Sequence, residues 1–233
     1  DLHWMVHSFP TRRSSELVSH ETIYSYLYVL PRGELKKEIL SCLRRKHIHR
    51  RPRKKTARQT CAAIQNYLSI EERPAEVADR IVPGHWEGDL LIGRRNASAL
   101  GTLVERTTRM TFLVKLRNQD AITVRKAFAE EFRHLPKGLK KTLTYDQGSE
   151  MAQHKLFTKE TAIAVYFAHP HSPWERGTNE NTNGLLRQYF PKGTDLSKIS
   201  FARLKEVQDE LNDRPRKTLN WLTPHEKFSQ LLH

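Results

Sequence analysis

The chain has almost no cysteine and no long apolar run, and both absences exclude certain kinds of protein. Its 233 residues include two cysteines, Cys42 and Cys61, with no C-x-x-C pair, so neither a disulfide framework nor a thiolate zinc site is indicated. No apolar stretch approaches the roughly 18 residues that a membrane-spanning helix needs, and no signal-peptide pattern is present. We therefore expect a cytoplasmic protein without a membrane partner.

Acidic residues are outnumbered by basic ones. Forty Lys and Arg residues face 26 Asp and Glu residues, which gives a formal charge of +14 and a pI near 9.9. Such a balance favours a polyanionic partner through counterion release and long-range steering. Ribosomal and membrane-surface proteins share this balance, so charge alone does not select DNA. The length suffices for one packed domain and a smaller appendage.

The basic residues are concentrated in one segment. Residues 44–58 contain nine Lys or Arg, and no acidic residue occurs from Ile39 to Ile70. A segment of that charge density cannot enter a core, so we expect an extended arm or linker. Given the three acidic residues farther along the chain, described below, we expect it to contact a DNA backbone; the alternative is a solvated linker without a specific partner. The predicted DNA contacts are Arg44, Arg45, Lys46, Arg50, Arg51, Arg53, Lys54 and Lys55.

Composition and periodicity divide the chain into four parts. Part of residues 1–17 resembles, apart from one residue, the translation of a common sequencing-adapter oligonucleotide, and we expect this segment to be non-native. Residues 18–58 are expected to be the remnant of a helical DNA-binding region with its basic linker. Residues 59–82 are expected to be a connecting helical segment, and residues 83–233 the main domain.

The remnant contains two predicted helices. The first spans residues 18–30, begins at Ser19 as a possible N-cap, and places Ile23, Tyr26 and further apolar residues at helical spacing. The second follows Gly33. Two interpretations of the first helix have equal weight: it is the last helix of a small DNA-binding bundle, or it is an ordinary docking helix.

The main domain alternates between strand and helix patterns. Three strands should form an antiparallel meander, and a helix capped by Asp120 should cover the sheet. The resulting order predicts a ribonuclease-H-like α/β fold with a mixed five-stranded sheet flanked by helices. The predicted strands are 85–93, 100–108, 110–116, 140–145 and 163–168, and the predicted helices are 120–135, 151–161, 178–190, 200–213 and one after Pro224.

Three acidic residues should meet at one edge of this sheet. Asp89 lies midway along the first strand of the main domain, Asp146 lies just past the fourth, and Glu180 lies on a helix, with thirty-three residues between it and Asp146. Carboxylates gathered in a cationic protein repel one another unless divalent cations lie among them. The pattern therefore indicates polynucleotide phosphoryl transfer.

The acids occur in three ordered motifs. These are W-E-G-D at residues 86–89, D-x-G-x-E at residues 146–150 and E-R-x-x-N-E-N-x-N-G at residues 175–184. Over roughly residues 19–233 the chain closely resembles the transposases of the bacterial insertion sequence thirty family, members of the retroviral-integrase-like superfamily. Residues 83–233 would then be an integrase-type catalytic core.

The resemblance implies specific roles. Asp89, Asp146 and Glu180 would be catalytic and would hold two Mg²⁺ ions, for which Mn²⁺ can substitute. The protein would cut DNA at mobile-element ends and join the 3′-hydroxyl to target DNA. Its partners would be terminal inverted repeats, target DNA and further copies of itself in a homo-oligomer, and it would associate with the nucleoid. In the family, terminal repeats are recognised by an N-terminal region that we expect this chain to have largely lost.

Side chains around the acids carry further predictions. Asn183 and Arg187 lie within roughly 60° and 20° of Glu180 on the helix, so both are predicted DNA contacts. Trp174 is expected to be a core aromatic, with base stacking as the alternative.

Three residues close to the two aspartates carry expectations of their own. Glu150 is expected to cap a helix, with metal support as the alternative. Gly148 is expected to permit a tight turn beside Asp146, and Glu87 shares the strand face of Asp89. Two other functions stay open for the whole chain: an inactive DNA-binding relic, and a structure-selective nuclease of the same fold.

Overall fold

The computed structural model describes residues 20–31, 33–42 and 67–231. The chain divides into two compact units, residues 1–57 and residues 58–233. The predicted Ser19 cap and the basic segment 44–58 lie outside the described residues.

Two helices make up the described part of the first unit. Helix α1 spans His20–Val29 and α2 spans Glu34–Cys42, so both predicted helices are confirmed within the described residues. Lys36 of α2 donates to the carbonyls of Tyr28 (2.9 Å) and Leu30 (2.6 Å), which satisfies acceptors that the end of α1 leaves free.

The second unit contains one six-stranded sheet within residues 67–231. The strands are β1 (Leu68–Ser69), β2 (His85–Ile92), β3 (Ala99–Glu105), β4 (Thr111–Lys115), β5 (Thr142–Tyr145) and β6 (Ala164–Phe167). Strand β2 pairs antiparallel with β3, and β3 with β4, while β5 pairs parallel with both β2 and β6, and β1 pairs parallel with β6. The strand order is β1-β6-β5-β2-β3-β4.

Helices cover both faces of the sheet. One face packs a core that includes Phe128 and Phe157 from two helices, and the other packs Leu186 and Val207 from two more. The ribonuclease-H-like architecture and the antiparallel meander are therefore confirmed. The helices of this unit are α3 (Glu76–Asp79), α4 (Ala121–Arg133), α5 (His154–Thr161), α6 (Gly177–Tyr189), α7 (Phe201–Asn212) and α8 (Pro224–Ser229).

Helix α4 shows how local sequence fixes an element. The Asp120 side chain accepts a hydrogen bond from the Thr123 amide at 2.9 Å, which satisfies an amide that the helix start leaves free. Val124, Phe128 and Phe132 recur at helical spacing and are all buried. The predicted cap and apolar stripe are both confirmed.

The sheet differs from the prediction by one strand. Strand β1 adds only Leu68 and Ser69 to the edge, opposite Tyr166 and Phe167 of β6. A two-residue strand is too short to show the alternation from which strands are predicted, so the five-stranded prediction was wrong by this element. In the described residues, no helix is long and apolar enough to cross a membrane.

Candidate active site

The side chains of β2 alternate between the two faces of the sheet, and this places two acids beside α6. Trp86 and Leu90 face the core under α4, whereas Glu87 and Asp89 face α6. The sequence prediction that Glu87 shares the face of Asp89 is confirmed.

Glu87 is an anchor for α6 rather than a free carboxylate. It is fully buried, accepts from Arg106 Nη1 at 2.7 Å and accepts from the Asn179 amide at 2.8 Å. Asn179, itself fully buried, donates through its side chain to the carbonyls of Glu87 and Thr102. Because the Glu87 carboxylate and the Asn179 side chain are both hydrogen-bonded, the network fixes the start of α6 against β2 and β3.

The two aspartates converge on one guanidinium. Asp89 Oδ2 lies 3.4 Å from Arg176 Nη1, and Asp146 Oδ2 lies 3.3 Å from Arg176 Nη2. Arg176 also donates to the Gly88 carbonyl, and its side chain is only 13% exposed. The predicted meeting of Asp89 and Asp146 is therefore present, with a cationic side chain between them.

Electrostatics agree with this arrangement. Burial raises the pKa of Asp89, Arg176 opposes that shift, and Asp146 adds to it. Burial by itself lowers the pKa of Arg176, but Asp89 and Asp146 more than offset it, so that pKa is raised. The guanidinium is thus a permanent counter-ion to the pair.

Glu180 lies on α6, four residues beyond Arg176, which immediately precedes that helix. Its side chain is exposed and makes no hydrogen bond or ion pair with any described residue. Across the described ranges, no three Asp, Glu, His or Cys side chains are arranged to hold a metal ion together. The structure therefore brings two of the three predicted acids together and leaves the third on the adjoining helix.

The donor set of the aspartate pair fits a hard divalent cation. Asp89 and Asp146 each direct one oxygen at the same positive group, and Asp146 Oδ1 is buried without a hydrogen-bond partner. Carboxylate oxygens are the ligands that Mg²⁺ prefers, with one or two protein groups and several waters in its shell. A cation at this position would compete with Arg176.

Asn183 and Arg187 have partners within the fold. Asn183 Nδ2 donates to Asp89 Oδ2 at 2.9 Å, which orients the carboxylate. Arg187 Nη2 donates to the Ile92 carbonyl at 2.8 Å, and burial lowers the pKa of Arg187. Their predicted DNA contacts stay predictions, as do those of the basic residues in 44–58.

Two expectations about neighbouring residues are wrong. Glu150 does not cap a helix, because neither the 3₁₀ turn at Ser149–Met151 nor α5 has a side-chain cap. Burial raises the pKa of Glu150, and the charges of Asp146 and Asp89 raise it further. Trp174 is 72% exposed, so it is not a core aromatic. It lies in a short 3₁₀ helix at Pro173–Arg176, where the turn directs it outward.

The reason for Gly148 also differs from the expectation. Its φ of −72° suits any residue, but an added Cβ would lie 2.3 Å from Glu150 Oε1. A larger residue there would require the Glu150 carboxylate, which folds back against the backbone, to move aside.

Sequence reasoning missed Arg176 and Asn179, although both lie in the third motif. The available signal was position: Arg176 precedes Glu180 by four residues, and Asn179 precedes it by one.

Comparison with known proteins agrees with the fold and the motifs. The family model for the integrase core domain matches residues 79–173, a range that includes Asp89 and Asp146 and ends before Glu180. The chain is 51% identical over 215 residues to the transposase for insertion sequence element IS1086 of Cupriavidus metallidurans, covering 92% of this chain and 63% of that protein. It is 44% identical over 225 residues to transposase InsI for insertion sequence element IS30A of Escherichia coli, covering 96% of this chain and 58% of that protein.

These comparisons support an IS30-family transposase. The resemblance inferred from the three motifs is thereby confirmed. The chain spans less than two thirds of the length of these curated relatives. A chain of the simian T-cell lymphotropic virus intasome, solved in complex with PP2A regulatory subunit B56 gamma, matches with a TM-score of 0.51 at 20% identity, covering 63% of this chain and 54% of that chain. That likeness concerns the fold alone.

Proposed function

We propose that this IS30-family chain contains the catalytic core of a DNA transposase, which cuts at mobile-element ends and joins the freed 3′-hydroxyl to target DNA. The observation that carries the proposal is the convergence of Asp89 and Asp146 on one cationic group beside the helix that bears Glu180. It occurs in a chain 51% identical to an insertion-sequence transposase.

The joining reaction is a transesterification. The 3′-hydroxyl oxygen of the element end bonds to a target phosphorus and loses its proton, while the bond from that phosphorus to the target 3′-oxygen breaks. Asp89, Asp146 and Glu180 would hold two Mg²⁺ ions, or Mn²⁺ in their place. Mg²⁺ bound there would supply the Lewis acidity that stabilises charge on the attacking and departing oxygens.

The chain's own residues prepare the site. Arg176 compensates two carboxylates that would otherwise repel each other at close range. Asn183 holds the Asp89 carboxylate in one orientation. The Glu87 and Asn179 network fixes the start of α6, the helix that bears Glu180. Such preorganisation is what phosphoryl transfer requires from a protein.

The proposed partners are DNA and further copies of this chain. The formal charge of +14 supports binding to terminal inverted repeats and to target DNA. Pairing of two element ends requires several active sites, so we propose a homo-oligomer in the active complex. The protein would act in the bacterial cytoplasm, at the nucleoid.

The experiment compares Asp89→Asn with Asp209→Asn, which removes the same charge from an acid on α7 that pairs with Lys205. Labelled DNA with preprocessed ends is incubated with a supercoiled plasmid and Mg²⁺ or Mn²⁺. We expect Asp89→Asn to abolish strand transfer and to leave nonspecific DNA binding nearly intact, and Asp209→Asn to change neither.

Other results identify the alternatives. Cutting without joining by the parent chain indicates a nuclease of the same fold. DNA binding without either reaction, in both metals, indicates an inactive relic. Full strand transfer by Asp89→Asn contradicts the site.

A further inference from the structure

A cavity lined by arginines lies at the start of α6. It has a volume of about 410 Å³, and its walls include Arg80, Arg109 and Arg216 together with the hydroxyl-bearing residues Thr178 and Thr218. We call it the arginine pocket.

The arginine pocket is separate from the aspartate pair. At about 100° per residue, Thr178 lies roughly 160° around α6 from Glu180. Asn183, about 60° around α6 from Glu180, donates to Asp89, and Arg176, immediately before the helix, pairs with the same carboxylate. Neither Asp89 nor Asp146 lines the arginine pocket, which meets α6 through Gly177, Thr178, Asn181 and Thr182.

Its positive charge is not neutralised by nearby acids. Within residues 67–231, no carboxylate lies at ion-pair distance from Arg80, Arg109 or Arg216. Of the acids closest to Arg109, Glu87 is paired with Arg106 and the Asn179 amide.

The second of these acids, Glu105, is also engaged. It accepts from the backbone amides of Gly84, Thr107 and Thr108. Three guanidinium groups thus line one cavity, and both neighbouring acids are committed elsewhere.

The guanidinium groups keep donors available. Arg109 Nη1 donates to the Thr178 hydroxyl at 2.8 Å, and Arg216 Nη2 donates to the Leu211 carbonyl at 3.0 Å. Arg216 Nε is buried without a hydrogen-bond partner. An unpaired buried donor is unusual and costly. Burial lowers the pKa of Arg109, and the charge of Arg80 lowers it further, so an anion would relieve both effects.

We propose that the arginine pocket binds a phosphodiester group of DNA other than the one that reacts. A guanidinium presents a planar set of N–H donors that matches phosphate oxygens. Several arginines around one cavity favour an anion whose oxygens accept from more than one of them. Because neither Asp89 nor Asp146 lines this cavity, the proposed occupant is not the reacting phosphodiester. The choice of DNA as the source of the phosphate rests on the proposed function.

The test fills the arginine pocket with a built-in anion. Thr218 is exposed at its rim, so Thr218→Glu places a carboxylate among the three arginines. The matched control is Gln230→Glu, which adds the same charge at an exposed site at the end of α8. A second variant, Arg80→Gln, removes one cation and keeps the same left-handed backbone position at φ 55°.

Binding of each variant to a short nonspecific duplex is measured by fluorescence anisotropy in EDTA at several salt concentrations. Log affinity falls with log salt by about 0.9 for each phosphate contact. We expect Thr218→Glu to lose at least one contact. Between about 50 and 200 mM salt, its affinity should then fall about 3.5-fold less than that of the parent chain. Arg80→Gln should change in the same direction, and Gln230→Glu should match the parent.

Melting temperatures measured in inorganic phosphate or in chloride at equal ionic strength distinguish free phosphate from the phosphodiester of DNA as the ligand. We expect phosphate to stabilise the parent and Gln230→Glu, but not Thr218→Glu, which should itself melt higher because its carboxylate joins three cations. Phosphate stabilisation without any change in the DNA salt slope overturns DNA as the ligand. No difference between Thr218→Glu and Gln230→Glu in either measurement overturns the site. A parent chain that binds no DNA refutes the proposed function instead.

Discussion

Arg176 should stabilise the metal-free protein and oppose metal binding, and both effects can be measured in one variant. In Arg176→Ala, Asp89 and Asp146 lose their shared counter-ion and face each other without compensation. At a separation of 3.3 Å and an effective dielectric constant of about 20, each lost contact has a gross Coulomb energy of about 5 kcal/mol.

The net effect is smaller because Arg176 loses solvation on burial and Asp146 stays 41% exposed. Removal of one partner from a fully buried pair destabilises by about 3–5 kcal/mol, so we expect about 2 kcal/mol at this partly open site. For a protein of this size, that lowers the melting temperature in EDTA by about 4–8 °C.

The same change should strengthen metal binding. A divalent ion must displace Arg176 in the parent chain but not in the variant, so the same 2 kcal/mol corresponds to about 30-fold tighter binding. Thermal melts with increasing Mn²⁺ measure this directly, without an activity assay. Arg203→Ala is the control, because Arg203 forms an exposed pair with Glu206. If Arg176→Ala melts like the parent in EDTA and gains no more from Mn²⁺, Arg176 is not the counter-ion.

Three further predictions concern the core, the pH dependence and the site. Gly101→Ala would place a Cβ 2.4 Å from the buried Phe128 ring, so urea unfolding should show a loss of about 1–3 kcal/mol. Burial lowers the pKa of His85 below 6.5; the unfolded chain therefore takes up the proton first, and stability is complete above 6.5 and falls as the pH drops below it. His85→Gln should flatten that slope in urea titrations from pH 7.5 to 5.5, and an unchanged slope would contradict the assignment. Asn183→Leu removes the hydrogen bond to Asp89, so strand transfer should fall about tenfold or more at unchanged DNA affinity; weaker DNA binding would instead place Asn183 on DNA.

Most of the fold could be predicted because its signals are local. The Asp120 cap and the stripe of Val124, Phe128 and Phe132 lie within one helix, and the alternation along β2 lies within eight residues. Strand β1 could not be predicted, since two residues carry no periodicity and the pairing partner, β6, is almost a hundred residues away.

The site was predictable only in part, because its decisive contacts join distant positions. Asp89 and Asp146 could be placed at one sheet edge from strand order alone. That Arg176 would lie between them depends on the packing of α6, since the guanidinium reaches a carboxylate from 87 positions earlier in the sequence. The exposure of Trp174 likewise depends on a short 3₁₀ turn, which apolarity alone does not indicate.

Helix α6 connects the two charged regions of this domain. One face meets Asp89 through Asn183, and the other lines the arginine pocket through Thr178. The buried network of Glu87 and Asn179 fixes the helix between them, with every member of the network hydrogen-bonded. A fixed helix that presents groups for cation binding on one side and for anion binding on the other holds the two at a constant separation. The protein would then hold phosphates bound on the two sides at a fixed distance from each other, because neither side of α6 can shift without the other.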